Sequence, residues 1–160
     1  AVGFVQHQHF DVREVDRPLA HVVDQASGRG DQDVNAAAQR VDLRFVPSDQ
    51  VVLADKTLLL TMLQNLVSNA IKYTPAGRIV VGARRQGDKV VIQVTDSGIG
   101  IPPSKFRTVF KEFARLEEGM RTASGLGLGL SIVQEIVEVY GLEIKFRNRE
   151  AGGLEVELHF

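Results

Sequence analysis

The sequence predicts an α+β fold, with helices on one face of a mixed sheet. Three observations carry that expectation. A long amphipathic helix runs from Asp55 to about Tyr73, with Leu59, Leu63, Leu66 and Ala70 on one apolar face. The segment Val90-Val91-Ile92-Gln93-Val94 is nearly all apolar and reads as a central strand. The elements come as helices, then strands, a helix and strands again, without the strict alternation of a doubly wound fold.

Taken in order, Phe10 to Val12 reads as a short edge strand. Pro18 suits the first position of a helix reaching about Ala26, where its missing N–H is no loss. Ser27-Gly28-Arg29-Gly30-Asp31 is a loop signal, and Asp33 can cap a short helix from Val34 to Gln39. Val41, Leu43 and Phe45 alternate with Asp42 and Arg44, which predicts a strand ending at Pro47. Asp55 caps the long helix, and Pro75-Ala76-Gly77 ends it. Ile79 to Val81 and Val90 to Val94 are strands joined by a turn at Gln86-Gly87-Asp88. Pro102, Pro103 and Ser104 open a short helix carrying Phe106, Phe110 and Phe113 on one core-facing stripe. Glu117 to Ser124 is polar and small, a loop expected to be mobile. A helix from about Leu130 to Tyr140 follows, then strands Ile144 to Phe146 and Leu154 to Leu158 around a Gly152-Gly153 turn.

Composition narrows the function classes. With 160 residues, one domain spanning 1–160 is expected. The apolar share of 44% and charged share of 24% are those of an ordinary globular chain. A net charge of −1 gives no electrostatic reason to expect nucleic acid or an anionic membrane surface. The absence of cysteine excludes disulfides, thiol catalysis and thiolate metal sites. No apolar run approaches the length that spans a bilayer. The stretch reads as a domain cut from something longer, in a cytoplasmic setting, with any membrane anchor of the parent protein outside it.

Three constellations carry chemistry. Asp96-Ser97-Gly98-Ile99-Gly100 follows directly on the apolar strand. A carboxylate at a strand end can accept a hydrogen bond from an exocyclic amine such as that of adenine, and paired glycines let backbone approach a flat ring. An ordinary strand-to-helix turn would use the same residue types. Gly125-Leu126-Gly127-Leu128-Gly129-Leu130 precedes a helix, and backbone N–H groups at a helix start suit phosphate. No apolar strand comes immediately before these glycines, as a dinucleotide-binding turn requires, and no P-loop sequence is present. A hinge before a helix is the plainer alternative. On the long helix, Asn65 and Asn69 project about 40° apart, followed by Lys72 and Tyr73. An amide oxygen is an acceptable magnesium ligand beside phosphate oxygens. A solvated polar face would look the same. His7, His9, His21 and His159 lack the companions of a metal site and read as surface or packing residues.

The order of these segments resembles the catalytic, ATP-binding domain of sensor histidine kinases in the GHKL superfamily: an Asn-bearing helix, the Asp-x-Gly-x-Gly turn, the Phe segment and the Gly-x-Gly-x-Gly turn. The similarity runs from about Asp55 to Phe160, with residues 1–15 expected to be a remnant of the linker from a phosphoacceptor domain. The resemblance implies a Bergerat-type two-layer α/β sandwich that binds ATP and Mg²⁺. It implies that Asn69 ligates magnesium, with Asn65 lining the phosphate site. Lys72 and Tyr73 would touch phosphate and adenine or ribose. Asp96 would read the adenine amine, in a pocket shaped by Gly98, Gly100 and Ile101. Gly125, Leu126, Gly127, Leu128, Gly129 and Leu130 would close over the phosphates, and Arg115 would reach the γ-phosphate.

The activity implied is transfer of the γ-phosphoryl group to a histidine on a separate helical dimerisation domain, with a response regulator receiver domain as indirect partner and this fragment monomeric. An anti-sigma-type serine kinase, another GHKL ATPase and a non-catalytic nucleotide-binding module are the alternatives. Against a rapid ATPase, the Asn helix holds no Glu between Asp55 and Tyr73. Two departures from the family pattern stand out. Leu154 and Glu155 occupy the place after the last glycine turn where the family often has a small hydroxyl residue, and neither His7 nor His9 sits in a His-Glu/Asp-x-x-x-Pro setting.

Overall fold

The computed structural model describes residues 9–11, 41–102, 104 and 128–160. The helices expected at 18–26 and 34–39, the Phe106–Phe110–Phe113 segment and the loop at 117–124 lie outside these described residues. Among the described residues there are seven strands and two helices. They are β1 (His9–Asp11), β2 (Val41–Phe45), β3 (Val51–Leu53), α1 (Lys56–Tyr73), β4 (Gly77–Gln86), β5 (Lys89–Asp96), α2 (Leu128–Tyr140), β6 (Glu143–Asn148) and β7 (Leu154–His159).

Five strands form one sheet in the order β2-β4-β5-β7-β6. The β2–β4 pair is parallel and the other three pairings are antiparallel, so the sheet is mixed. β5 lies in the middle, as its apolar composition predicts. A separate two-stranded antiparallel ribbon joins β1 and β3. β3 was not expected from the sequence. Its three residues put Val52 in the core and leave Val51 and Leu53 exposed, a pattern too short to stand out from loop. β4 is ten residues long where three were expected, because its second half carries Arg84, Arg85 and Gln86 and reads as polar. That half is held by pairing with β5 through Gln86↔Lys89, not by burial.

Strand alternation divides the sheet into two unlike faces. Ile79 and Val81 of β4, Ile92 and Val94 of β5, and Val156 and Leu158 of β7 point to the core. There they meet Leu59, Met62, Leu63, Leu66, Val67 and Ala70 of α1 and Val133, Ile136 and Val137 of α2. Leu59, Leu63 and Leu158 retain no exposed surface, and burial of each such side chain contributes roughly 1.5–3 kcal/mol. The opposite face carries ion pairs, Arg84 with Glu157 (2.8 Å), Arg147 with Glu155, and Lys145 with Glu143 (3.2 Å), beside the buried Val91 and His159. Two helices packed on one face of a mixed sheet form the expected α+β sandwich.

The long helix starts where the sequence places it. Asp55 has extended backbone, and its carboxylate accepts from the Leu58 N–H (3.0 Å), a cap worth about 1 kcal/mol. After Tyr73, Thr74 N–H returns to Ile71 O and the chain enters β4 within three residues. This short exit places the C-terminal end of α1 beside the C-terminal end of β5. There Ser97 N–H donates to Arg78 O (3.0 Å) and Ile99 N–H donates to Tyr73 O (3.1 Å).

Candidate nucleotide site

The site is built along the polar stripe of α1. Asn65, Asn69 and Tyr73 follow one another at i, i+4 and i+8 and are all half-buried. At the Tyr73 end lies the Asp96 turn. Asp96 is buried at the end of β5 (6% exposed), and its Oδ1 accepts two backbone N–H groups, from Gly98 (2.8 Å) and Leu154 (3.1 Å). Those bonds fix the plane of the carboxylate, and Oδ2 takes no part in them. Gly98 is forced to be glycine: a Cβ there would sit 2.1 Å from the Tyr73 carbonyl oxygen. Gly100 has φ +65° and room for no side chain, since a Cβ would come 2.8 Å from Asn148 Oδ1.

At the other end of the stripe lies the start of α2. Asn65 Nδ2 donates to the Thr61 carbonyl one turn back (2.8 Å). Its oxygen faces Gly129, where a Cβ would be only 2.6 Å away. Gly129 and Leu130 are helical and half-buried; the sequence reading put Gly129 in the turn and began the helix at about Leu130. Helix is described from Leu128, two residues before the start expected from a run of Leu and Gly residues that carries no capping side chain. Asn65 and Tyr73 are eight residues apart, roughly 12 Å along the helix axis. The two turns therefore bracket a span suited to an extended nucleoside triphosphate.

Lys72 is exposed, and its ammonium lies 5.6 Å from the centroid of the Tyr73 ring, close enough for cation–π attraction. Burial raises the Tyr73 phenol above its usual value, so the hydroxyl stays neutral. Ile101 is half-buried just past the turn. Thus Asn65, Asn69, Lys72 and Tyr73 lie on α1, Asp96, Gly98, Gly100 and Ile101 lie in the turn that docks at its Tyr73 end, and Gly129 and Leu130 lie in the first turn of α2, which Leu128 opens. Arg115, Gly125, Leu126 and Gly127 lie outside the described residues.

Sequence reasoning gave the β6–β7 hairpin but missed its hold on the Asp96 turn. Arg149 Nη1 donates to the Asp96 carbonyl (3.0 Å). Gly153, with φ +91°, lies so close that a Cβ would be 2.0 Å from that same oxygen. Asn148 bonds Ile101 through both ends of its amide. Only the strand register reveals these neighbours: Thr95↔Glu155 brings Leu154 opposite the end of β5. The Leu154–Glu155 departure also gains a physical meaning. Leu154 serves Asp96 through backbone N–H, whatever its side chain, and Glu155 turns to the outer face to meet Arg147.

The residues fit a nucleotide. Three glycines mark close approaches that a Cβ would fill, and a carboxylate is locked at one end of a stripe of amides. They fit Mg²⁺ only in company. Among the described residues no group of three His, Cys, Asp or Glu gathers to hold a metal, so the neutral amide oxygens would need phosphate oxygens to complete a magnesium shell. The depression on the outer face, lined by Arg84, Lys145, Arg147, Glu155 and Glu157 among others, is crossed by the ion pairs already described and lies on the opposite side of the sheet from the helices. Among the described residues no helix is long and apolar enough to cross a membrane.

Comparison with known proteins agrees with this fold. The model of the histidine kinase-, DNA gyrase B- and HSP90-like ATPase family matches residues 54–160. The sensor-like histidine kinase SenX3 of Mycobacterium tuberculosis is 46% identical over 105 residues, covering 62% of this chain and 26% of that protein. The chain thus spans about a quarter of that relative's length. Among solved structures, the mycobacterial sensor histidine kinase MprB superposes with a TM-score of 0.72 at 25% identity, covering 96% of both chains. Full-length ShkA in complex with AMPPNP shares the fold, with a TM-score of 0.69 at 23% identity over 99% of this chain and 32% of that one. The chain belongs to the histidine kinase-, DNA gyrase B- and HSP90-like ATPase family, and within it to the catalytic ATP-binding domains of sensor histidine kinases.

Proposed function

We propose that this chain binds Mg-ATP along the α1 stripe and donates the γ-phosphoryl group to a histidine on a separate helical domain. The single observation that carries the reading is the convergence on α1. The Asp96 turn docks on Tyr73 at one end, and Gly129 docks on Asn65 at the other. Support comes from family membership and from the AMPPNP bound by ShkA, a protein of the same fold.

In this reading Asp96 accepts the adenine amine on Oδ2, while its Oδ1 stays engaged by Gly98 and Leu154. Gly98, Gly100 and Ile101 form the floor against the ring. Tyr73 edges the adenine or ribose, and Lys72 swings from the Tyr73 ring to a phosphate. Asn65 and Asn69 present amide oxygens at the triphosphate, Asn69 to magnesium. Gly125, Leu126, Gly127, Leu128, Gly129 and Leu130 close over the phosphates, and Arg115 reaches the γ-phosphate. Bound there, Mg²⁺ supplies neutralisation of phosphate charge. The chain's own contribution is positioning: such transfer needs little covalent chemistry from the protein.

The domain is taken to span residues 1–160, with 1–15 as linker. Its direct partner is the helical phosphoacceptor domain, a response regulator receiver domain lies downstream, and the setting is cytoplasmic. Fluorescent-nucleotide titration with and without magnesium, on wild type and Asn69→Ala, tests the site. Wild type binds more tightly with magnesium, and Asn69→Ala loses that gain, about 10-fold for one ligand to a bound cation. Equal magnesium-dependent affinity in both removes Asn69 from the role. Mixing the chain with a helical histidine domain and ATP should give an acid-labile phosphoprotein. An acid-stable product would mark a serine kinase instead.

A further inference from the structure

We propose that Asn148, at the end of β6, is a positioning residue for nucleotide binding: its side-chain amide fixes the exit of the Asp96 turn and so pre-forms the adenine end of the pocket. The inference rests on reading that turn as the adenine site and goes beyond it by naming what holds the turn in shape.

The geometry is specific. Asn148 Oδ1 accepts the Ile101 N–H at 2.9 Å, and Asn148 Nδ2 donates to the Ile101 carbonyl at 2.7 Å. One side chain thereby satisfies both backbone groups of one residue, 47 positions away in sequence. This is the pairing a neighbouring strand would offer, supplied where no strand can follow. β5 stops at Asp96, and Ile101 lies beyond the turn. Without the amide, the Ile101 backbone would have only water as partner on that side.

Asn148 does not act alone. The next residue, Arg149, donates to Asp96 O (3.0 Å) through its guanidinium and to Gly153 O (3.0 Å) through its backbone N–H. Leu154 N–H donates to Asp96 Oδ1. The β6–β7 hairpin therefore grips both ends of the turn. Arg149 and Leu154 hold the Asp96 end, and Asn148 holds the Ile101 end. The fit around Gly100 shows how close the grip is: a Cβ there would stand 2.8 Å from Asn148 Oδ1 and 3.2 Å from Gly153 O. Between the two anchors lie Gly98 and Gly100, which have the greatest conformational freedom and the greatest entropy to lose when a base settles on them. Tying down Ile101 removes part of that loss before the ligand arrives, and pre-organisation of this kind appears as affinity.

Asn148 is exposed and contributes nothing to the core, so removing it should loosen the turn and leave the fold intact. Titrating the 160-residue chain with AMP, ADP and ATP by calorimetry tests this. Asn148→Ala and Asn148→Asp should each weaken all three nucleotides by the same factor, about 5–10-fold, the scale of one or two solvent-accessible hydrogen bonds. Asp keeps the size and one acceptor but sets its second oxygen against the Ile101 carbonyl, so shape alone cannot rescue binding. Hydrogen exchange at the Ile101 amide should accelerate while that at Val94, within β5, is unchanged, and the melting temperature should hold. Unchanged affinity in both variants overturns the proposal. So does a loss that grows from AMP to ATP, which would place the effect at the phosphates, and so does a loss that tracks a fall in melting temperature. If wild type binds none of the three, the ATP reading itself fails and this inference falls with it.

Discussion

The two ends of the α1 stripe are made differently. At the Tyr73 end, the wall is backbone bonded to backbone and to side chains from distant strands: Ile99 to Tyr73, Gly98 and Leu154 to Asp96, Arg149 to Asp96, Asn148 to Ile101. At the Asn65 end, one amide on α1 faces the first turn of α2, and the approach is side chain against glycine. The first arrangement is prefabricated and intolerant of change. The second can adjust by rotating a side chain. In the proposed function, the base, a rigid flat group, would be read by the fixed end, and the triphosphate, a flexible chain of charges, would be met by the adjustable one.

The largest expected effect comes from forcing a side chain into the fixed end. Gly98→Ala sets a methyl 2.1 Å from the Tyr73 carbonyl, which cannot swing aside. The turn must separate from α1, at a cost of about 2–4 kcal/mol in chemical-denaturation stability. The matching change at the other end should behave in the opposite way. Gly129→Ala meets the Asn65 side chain first, its amide oxygen at 2.6 Å, and replaces a helical glycine. Stability should hold or rise by up to about 1 kcal/mol, while ATP binding weakens because Asn65 is displaced. Equal destabilisation by the two variants would erase the contrast.

Next in size is Asp96→Asn. The amide can keep one oxygen toward the Gly98 and Leu154 N–H groups only by aiming its NH₂ at the adenine amine, and flipping it sets donors against donors instead. Adenine nucleotide affinity should drop about 30- to 100-fold by calorimetry, the cost of a buried donor left without an acceptor. A fall confined to ATP, sparing AMP, would put Asp96 at the phosphates and reverse the assignment of the two ends.

The smallest effect belongs to the outer face and acts as a control. A hydrogen bond from Lys145, with the nearby charges of Lys145 and Lys89, holds the Glu143 carboxyl below its ordinary range. The stabilisation is therefore present above the ordinary carboxylate value and fades as pH falls through the lowered one. Lys145→Gln should bring the Glu143 carbon-13 titration midpoint up toward the ordinary value. Nucleotide affinity should not change, because this pair lies across the sheet from α1.

The sequence carried the cap, span and apolar face of α1, the central place of β5 and the order of the site motifs, because each is written in neighbouring residues. Asp55 is followed by its periodic leucines, and Asp96 follows its apolar strand directly. What it did not carry is pairing at a distance. Arg84 to Gln86 look like loop until β5 is laid beside them. Asn148 and Arg149 look like ordinary residues before a turn until the register of β5 on β7 brings that turn to Asp96. The polar stripe of α1 was ambiguous for the same reason. A solvated face and a ligand-binding face have the same composition, and the close approach of Gly98 to one end and of Gly129 to the other is visible only in the fold.

The most direct test is amide NMR mapping of AMP and Mg-ATP on the same labelled chain. A single pocket read from base to phosphate predicts that AMP shifts Gly98, Gly100 and Ile101 and leaves Gly129 and Asn65 in place, and that Mg-ATP shifts both groups. If AMP moved Gly129 and Asn65 first, or if Mg-ATP moved neither group, the α1 stripe would not be the nucleotide site.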